Sequence, residues 1–129
     1  MIVADTHVWL WMNDDPGRLS DKALAALSYA DGVLIAPMSA WEISMLVAKG
    51  RLTLGRPVIE WVRAALRVDR ILLAPLPVEV AVRAGELGQE GFHGDPVDRI
   101  IVATALHFQA PLVTKDGPIR EWGGVSTIW

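Results

Sequence analysis

Four acids in this chain stand where carboxylates could be gathered for chemistry: Asp5, Glu42, Asp98 and Asp116. Each belongs to a different segment, so only a tertiary fold could bring them together. Carboxylates sharing one pocket repel: a like-charged pair about 4 Å apart costs on the order of 4 kcal/mol at an effective dielectric near 20. A cation relieves that cost. Mg²⁺ or Mn²⁺ suits an all-oxygen donor set, because hard divalent ions take a few carboxylates, keep several waters and accept substrate phosphate. An ion held this way activates water and stabilises charge developing on a phosphodiester. The pattern therefore points to hydrolytic phosphodiester chemistry.

Each acid also has a purely structural reading. Ser39-Ala40-Trp41-Glu42 matches a capping box that could serve only to start a helix. In Asp95-Pro96-Val97-Asp98, one acid is expected to cap the helix and the other to face inward. Asp95 is assigned the cap, because Asp98 falls on the row of Ile101, Ala105 and Phe108, where a buried carboxylate needs a partner. Asp5 and Asp116 could each be ordinary turn acids at strand ends.

The elements that must position these residues alternate between strand and helix signals, the pattern of a mostly parallel sheet flanked by helices, an α/β/α sandwich. Strands are predicted at Ile2 to Ala4, Val33 to Ala36, Ile71 to Leu76, Leu112 to Val113 and Val125 to Trp129. Helices are predicted at Thr6 to Met12, from Ser20 to about Tyr29, Ser39 to Lys49, Val58 to Arg67, Val78 to Leu87 and Pro96 to Phe108, with a helical turn opening at Pro118. Gly88 to Gly94 reads as a loop. In such sheets ligands bind outside the carboxyl ends of the strands, where all four acids would lie.

The 129 residues, 52% of them hydrophobic, are expected to form one domain over residues 1–129. With no cysteine there is neither a disulfide nor a thiolate ligand nor a cysteine nucleophile. The absence of an apolar run of about 18 residues and of a basic leader argues for a cytoplasmic protein without a membrane span. Net charge is −3, opposite to the basic footprint of a protein that grips nucleic acid with its own side chains alone. Six tryptophans and a mean hydropathy of +0.33 fit either an aromatic core or an apolar surface kept for a partner. His7, His93 and His107 lack zinc-type spacing, although His93 in its loop could touch RNA.

The blocks Asp5-Thr6-His7-Val8, Ser39-x-Trp41-Glu42-Ile43, Asp95-Pro96-Val97-Asp98-Arg99-Ile100-Ile101-Val102-Ala103 and Leu112-Val113-Thr114-x-Asp116 together resemble PIN-domain ribonucleases of the VapC toxin type. The resemblance runs in order through nearly the whole chain. It implies that Asp5, Glu42, Asp98 and Asp116 bind metal, with Thr114 and Thr6 as accessory groups. It also implies Mg²⁺- or Mn²⁺-dependent cleavage of RNA, often transfer RNA, by a metal-activated water. A homodimer and a cognate VapB-like antitoxin that covers an apolar groove and reaches into the acidic pocket are implied as well. Arg99 and Lys115, flanking proposed ligands, are candidate phosphate contacts, with surface salt bridging the competing reading. Gly94 and Leu46 depart from the pattern, since many relatives carry basic residues there.

Two other enzyme classes fit less well. A phosphoryl-accepting receiver needs an aspartate ending a central strand, yet Val33 to Ala36 and Ile71 to Ala74 run into Pro37 and Pro75. Haloacid-dehalogenase-like phosphatases need Asp-x-Asp, and this chain has Asp5-Thr6-His7. A PIN nuclease working outside a toxin pair and a PIN-like module that only binds RNA or protein stay open as alternatives.

Overall fold

A computed structural model describes all residues, 1–129. Five parallel strands form one sheet: β1 (Ile2–Ala4), β2 (Val33–Ile35), β3 (Ile71–Leu73), β4 (Leu112–Val113) and β5 (Thr127–Ile128), in the order β3-β2-β1-β4-β5. Seven helices cover it: α1 (Thr6–Asp14), α2 (Asp21–Tyr29), α3 (Pro37–Ala48), α4 (Val58–Leu66), α5 (Val78–Glu86), α6 (Pro96–His107) and α7 (Gly117–Trp122). Short 3₁₀ turns occupy Pro16–Arg18 and Leu87–Glu90. No helix is long and apolar enough to cross a membrane.

The strands are short, and the three central ones, β1, β2 and β4, are apolar and buried on both faces, while the edge strands β3 and β5 are partly exposed. Val3, Leu34 and Leu112 point into one core with α5, α6 and α7, built around Leu87, Ile101 and Ile119. Their neighbours Ile2, Ala4, Val33, Ile35 and Val113 point into a second core with Val8, Trp9, Ile43 and Trp61. Strand alternation thus divides consecutive residues between two cores, which makes the three-layer α/β/α sandwich.

The predicted elements recur with shifted boundaries. α3 begins at Pro37, two residues before Ser39, because proline's fixed φ suits a first helical position. The first turn is therefore capped by Ala36 without a side-chain bond, and Ser39-to-Glu42 is not a capping box. β3 stops at Leu73 rather than Leu76, and the last strand is confined to Thr127–Ile128.

The strand order fixes where a ligand site must form. From β1 the chain moves outward through β2 to β3, then returns to place β4 on the other side of β1. The β1–β4 boundary is the point where the winding reverses, and there the loops leaving the carboxyl ends of adjacent strands part to leave a crevice. Asp5 leaves β1 at this boundary, and Thr114 to Asp116 leave β4.

Candidate metal centre

Asp5 is the most firmly held residue of the crevice. It is 3% exposed; its backbone N–H donates to Val113 O at 3.0 Å, locking the end of β1 to β4. Its side chain caps α1, with Oδ1 accepting from the Thr6 N–H at 2.8 Å. Oδ2 accepts from the Thr114 hydroxyl at 2.6 Å. Thr114, fully buried, in turn accepts the Asp116 N–H at 3.0 Å. One hydroxyl therefore fixes both strand-end acids relative to each other.

Asp116 caps α7 through Oδ1, which accepts from the Ile119 N–H at 3.0 Å. Asp95 caps α6 in the same way, accepting from the Asp98 N–H at 2.9 Å, as expected for the outer acid of the pair. Asp98, one turn into α6, has no such backbone bond. Its carboxyl is pushed up to about 7, by burial first and then by the negative charges of Asp95, Asp5, Asp116 and Glu42. The acids expected from the sequence thus act on one another electrostatically, from β1, α3, α6 and the β4–α7 junction.

Glu42 lies in the second turn of α3, not the first, and is half-buried. Burial raises its pKa, the Thr6 hydroxyl opposes that by hydrogen bonding, and Asp5 and Asp95 add to the rise. Thr6 and Ser39, both buried, share a hydrogen bond of 2.9 Å between their hydroxyls. Ser39 is thus a member of the pocket floor rather than a helix cap. The sequence reading missed this because a Ser three residues before a Glu has an equally good local explanation.

His7 was also missed as a site residue. Its Nε2 accepts the Lys115 backbone N–H at 3.1 Å, and its Nδ1 lies 3.6 Å from Asp5 Oδ2. Burial, the largest influence, lowers its pKa, while Asp5 and Asp116 act in the opposite direction. The accepted bond at Nε2 places the single proton on Nδ1, toward Asp5. The available signal was position: two residues past a strand-end acid, in the first turn of the helix that acid caps.

The flanking cations separate. Lys115 is exposed beside the crevice. Arg99 turns away from it: its Nε donates to Gly94 O at 2.7 Å, and its side chain lines an apolar groove between α5 and α6 with Ala81, Ala84, Pro96 and Ile100. Gly94 is dictated by packing, since a Cβ there would come within 2.5 Å of the Phe92 ring and 3.1 Å of Asp98 Cβ. A basic side chain has no room at that position. Leu46 lies half-buried on α3, four residues after Glu42. Along the other side of the crevice a cavity of about 490 Å³ is lined by Asp98, Asp116 and Glu121 together with His93 and Trp122.

No three carboxylate or imidazole groups close into a cluster that would enclose an ion unaided. The four acids expected to share one pocket lie in a looser arrangement, in which Asp5 and Asp116 each also commit one oxygen to a helix cap. The donors are nonetheless all hard oxygens, and the half-buried Asp98 and Glu42 carboxyls make no backbone bond. That set fits a small divalent ion that retains much of its water better than one caged wholly by protein.

The PIN domain family model matches residues 2–124. This chain belongs to the PIN-domain family. Across 120 residues the PIN chain is 34% identical to "Ribonuclease VapC22" of Mycobacterium tuberculosis, covering 93% of this chain and 90% of that protein. Its fold is similar to that in the crystal structure of VapBC2 from Rickettsia felis bound to a promoter DNA fragment, with a TM-score of 0.68 and 17% identity over 98% of this chain and 97% of the other. VapBC-1 from nontypeable Haemophilus influenzae gives 0.67 and 18%, over 98% and 96%. At those identities the solved structures speak for the PIN fold, and the curated relative together with the family match speaks for the family.

Proposed function

We propose that this chain is a Mg²⁺- or Mn²⁺-dependent endoribonuclease acting as one PIN domain over residues 1–129, the toxin of a VapBC-type pair. The observation that supports the reading most strongly is Asp98, whose carboxyl is held near neutrality by burial and four surrounding acids at the reversal point of the sheet. Structural acids rarely gather like charge; acids that await a cation do. The 34% identical relative named a ribonuclease supports RNA as substrate, and the VapBC complexes among structural relatives support a VapB-like antitoxin as partner.

In this reading Asp5, Glu42, Asp98 and Asp116 hold the ion. An ion held there would supply positive charge for a phosphate and for activating water at neutral pH. The chain's own contribution is placement. Thr114 and the Thr6 N–H pin both oxygens of Asp5, so that its negative charge faces the crevice without rotamer freedom. Asp116 presents Oδ2 while α7 holds Oδ1. Glu42 and Asp98, free of caps, adjust to the ion and to substrate. Thr6 steadies Glu42, and His7 fastens the β4–α7 loop so that Asp116 stays against Asp5. Cytoplasmic action on RNA, transfer RNA included, and a homodimeric assembly complete the proposal.

The test is incubation of the purified chain, freed of any partner, with a mixed RNA pool in Mn²⁺, in Mg²⁺ and in EDTA, beside Asp98→Asn. Metal-dependent cutting that Asp98→Asn reduces by at least about 100-fold is expected. Equal cutting by both chains removes Asp98 from the chemistry, and RNA binding without any cutting favours a non-catalytic PIN module.

A further inference from the structure

An aromatic and cationic strip runs outward from the acidic pocket along one face of α1. It starts at His7, in contact with Asp5, and continues one turn on to Trp11, the two ring centroids 4.9 Å apart. Trp129, next to the last strand, lies 6.0 Å from Trp11 between centroids. Two exposed cations flank the same ring: the Arg18 guanidinium 4.5 Å from its centroid and the Lys115 ammonium 6.0 Å from it. The three aromatic groups are all partly exposed rather than core.

The proposed chemistry uses His7 but not Trp11, Trp129, Arg18 or Lys115; Trp129 packs on the edge of the second core, and Trp11 belongs to neither core. Arg18 and Lys115 contact no carboxylate, for the ion pairs of the chain are His7 with Asp5 and Arg83 with Glu90. In a chain of net charge −3, Arg18 and Lys115 are two cations gathered on one aromatic ring beside the acidic pocket. Sequence-tolerant single-strand binders combine such elements: aromatic faces that stack bases and cations that follow the backbone.

We infer that this strip is a substrate subsite, in which a base of a single-stranded RNA next to the cleaved phosphate stacks on Trp11 while Arg18 and Lys115 meet flanking phosphates. The inference rests on the nuclease reading for its substrate class and adds where the strand lies. Lys115 lies next to Asp116 in sequence, and His7 holds its backbone, so the strip and the carboxylates are tied together through the same two segments. Arg18, being exposed, yields the ring face to a base and turns to that base's phosphate. The opposite wall of the crevice, with Asp98, Asp116 and Glu121, offers no comparable cation, so the strand is directed toward α1.

The experiment measures binding of a fluorescently labelled, mixed-sequence single-stranded RNA to the full chain in the Asp98→Asn background, with Mg²⁺, across a salt series. Trp11→Ala is expected to weaken binding roughly 5- to 100-fold, with Trp11→Phe recovering most of it. Arg18→Ala with Lys115→Ala is expected to flatten the slope of log affinity against log salt by about 1.4, the contribution of two single-strand phosphate contacts. These two exposed positions keep the test valid if Trp11→Ala fails to fold, which circular dichroism reports. Binding within twofold of the parent for Trp11→Ala and an unchanged slope for the cation pair would overturn the subsite. So would an altered elution volume for Trp11→Ala with RNA affinity intact, which assigns the strip to contacts between copies. Binding lost through Trp11→Ala while the parent chain, with Asp98 in place, cuts no RNA sustains the subsite and sinks the nuclease; metal-dependent cutting by the parent with Trp11→Ala fully competent to bind does the reverse.

Discussion

Thr114 carries more of the site than its size suggests. Its hydroxyl donates to Asp5 and accepts from the Asp116 N–H while fully buried, so its loss strands a carboxylate oxygen and a backbone donor at once. Thr114→Val, nearly isosteric, is expected to destabilise the chain by about 2–6 kcal/mol, from one buried and one part-buried group at roughly 1–3 kcal/mol each, with Thr114→Ser recovering most of it in urea denaturation. Asp98 acts in the opposite sense. Its pKa is raised from 3.8 to about 7 in the folded chain, so without metal the unfolded chain ionises first as pH rises from about 4. Stability is thus lost progressively between about pH 4 and 7 and levels off above. In EDTA, Asp98→Asn is expected to melt on the order of a few degrees above the parent at pH 8, with the gap closing toward pH 4. A gap that does not change with pH would mean that Asp98 ionises normally.

At the level of elements, three helices begin on acids at the crevice: α1 on Asp5, α6 on Asp95 and α7 on Asp116. Capping and charge are separable there, because asparagine caps as well as aspartate does. Asp116→Asn is expected to keep stability within about 0.5 kcal/mol and lose metal-dependent activity, whereas Asp116→Ala loses a further ~1 kcal/mol of stability. Chemical denaturation beside the RNA assay distinguishes the two roles. The start of α6 was legible because Asp95-Pro96 is a strong local signal on which cap and first helical residue agree. The start of α3 was not: Pro37 and Ser39 both offer beginnings, and the helix starts at Pro37 while Ser39, two residues in, is buried against Thr6. The end of β3 was overrun: the apolar run carries the strand to Leu76 past Pro75, which has no N–H to pair, and the last bond to β2 comes from Ala74.

For the whole molecule, an anionic pocket in an acidic chain makes folding and ion binding one equilibrium. An ion that binds only the folded state adds about 2.7 kcal/mol at 100 times its Kd, several degrees of melting temperature for a chain of this size. Mn²⁺ is expected to raise the melting temperature of the parent more at pH 8 than at pH 6, because the proton on Asp98 competes with the ion, and to raise that of Asp98→Asn much less. Scanning calorimetry in Mn²⁺ and in EDTA at both pH values checks this; equal shifts in parent and variant would place the ion elsewhere.

The sequence by itself determined the alternation of elements and the identity of the acids, since each follows from local periodicity, turn chemistry or residue type. It also marked Asp95 as a cap and Asp98 as the inward carboxylate, because Asp95 directly precedes Pro96 while Asp98 falls on the apolar row of Ile101 and Ala105. Only the tertiary structure decided that Ser39 faces Thr6, that His7 holds the loop of Asp116, that Arg99 turns from the pocket and that Gly94 admits no side chain. Arg99 and Gly94 answer to nearer neighbours, Gly94 O and the Phe92 ring, whereas the first two outcomes depend on contacts between segments far apart in the chain, Thr6 with Ser39 and His7 with Lys115. Distances of that kind are set by the winding of the sheet, and no window of local sequence contains them.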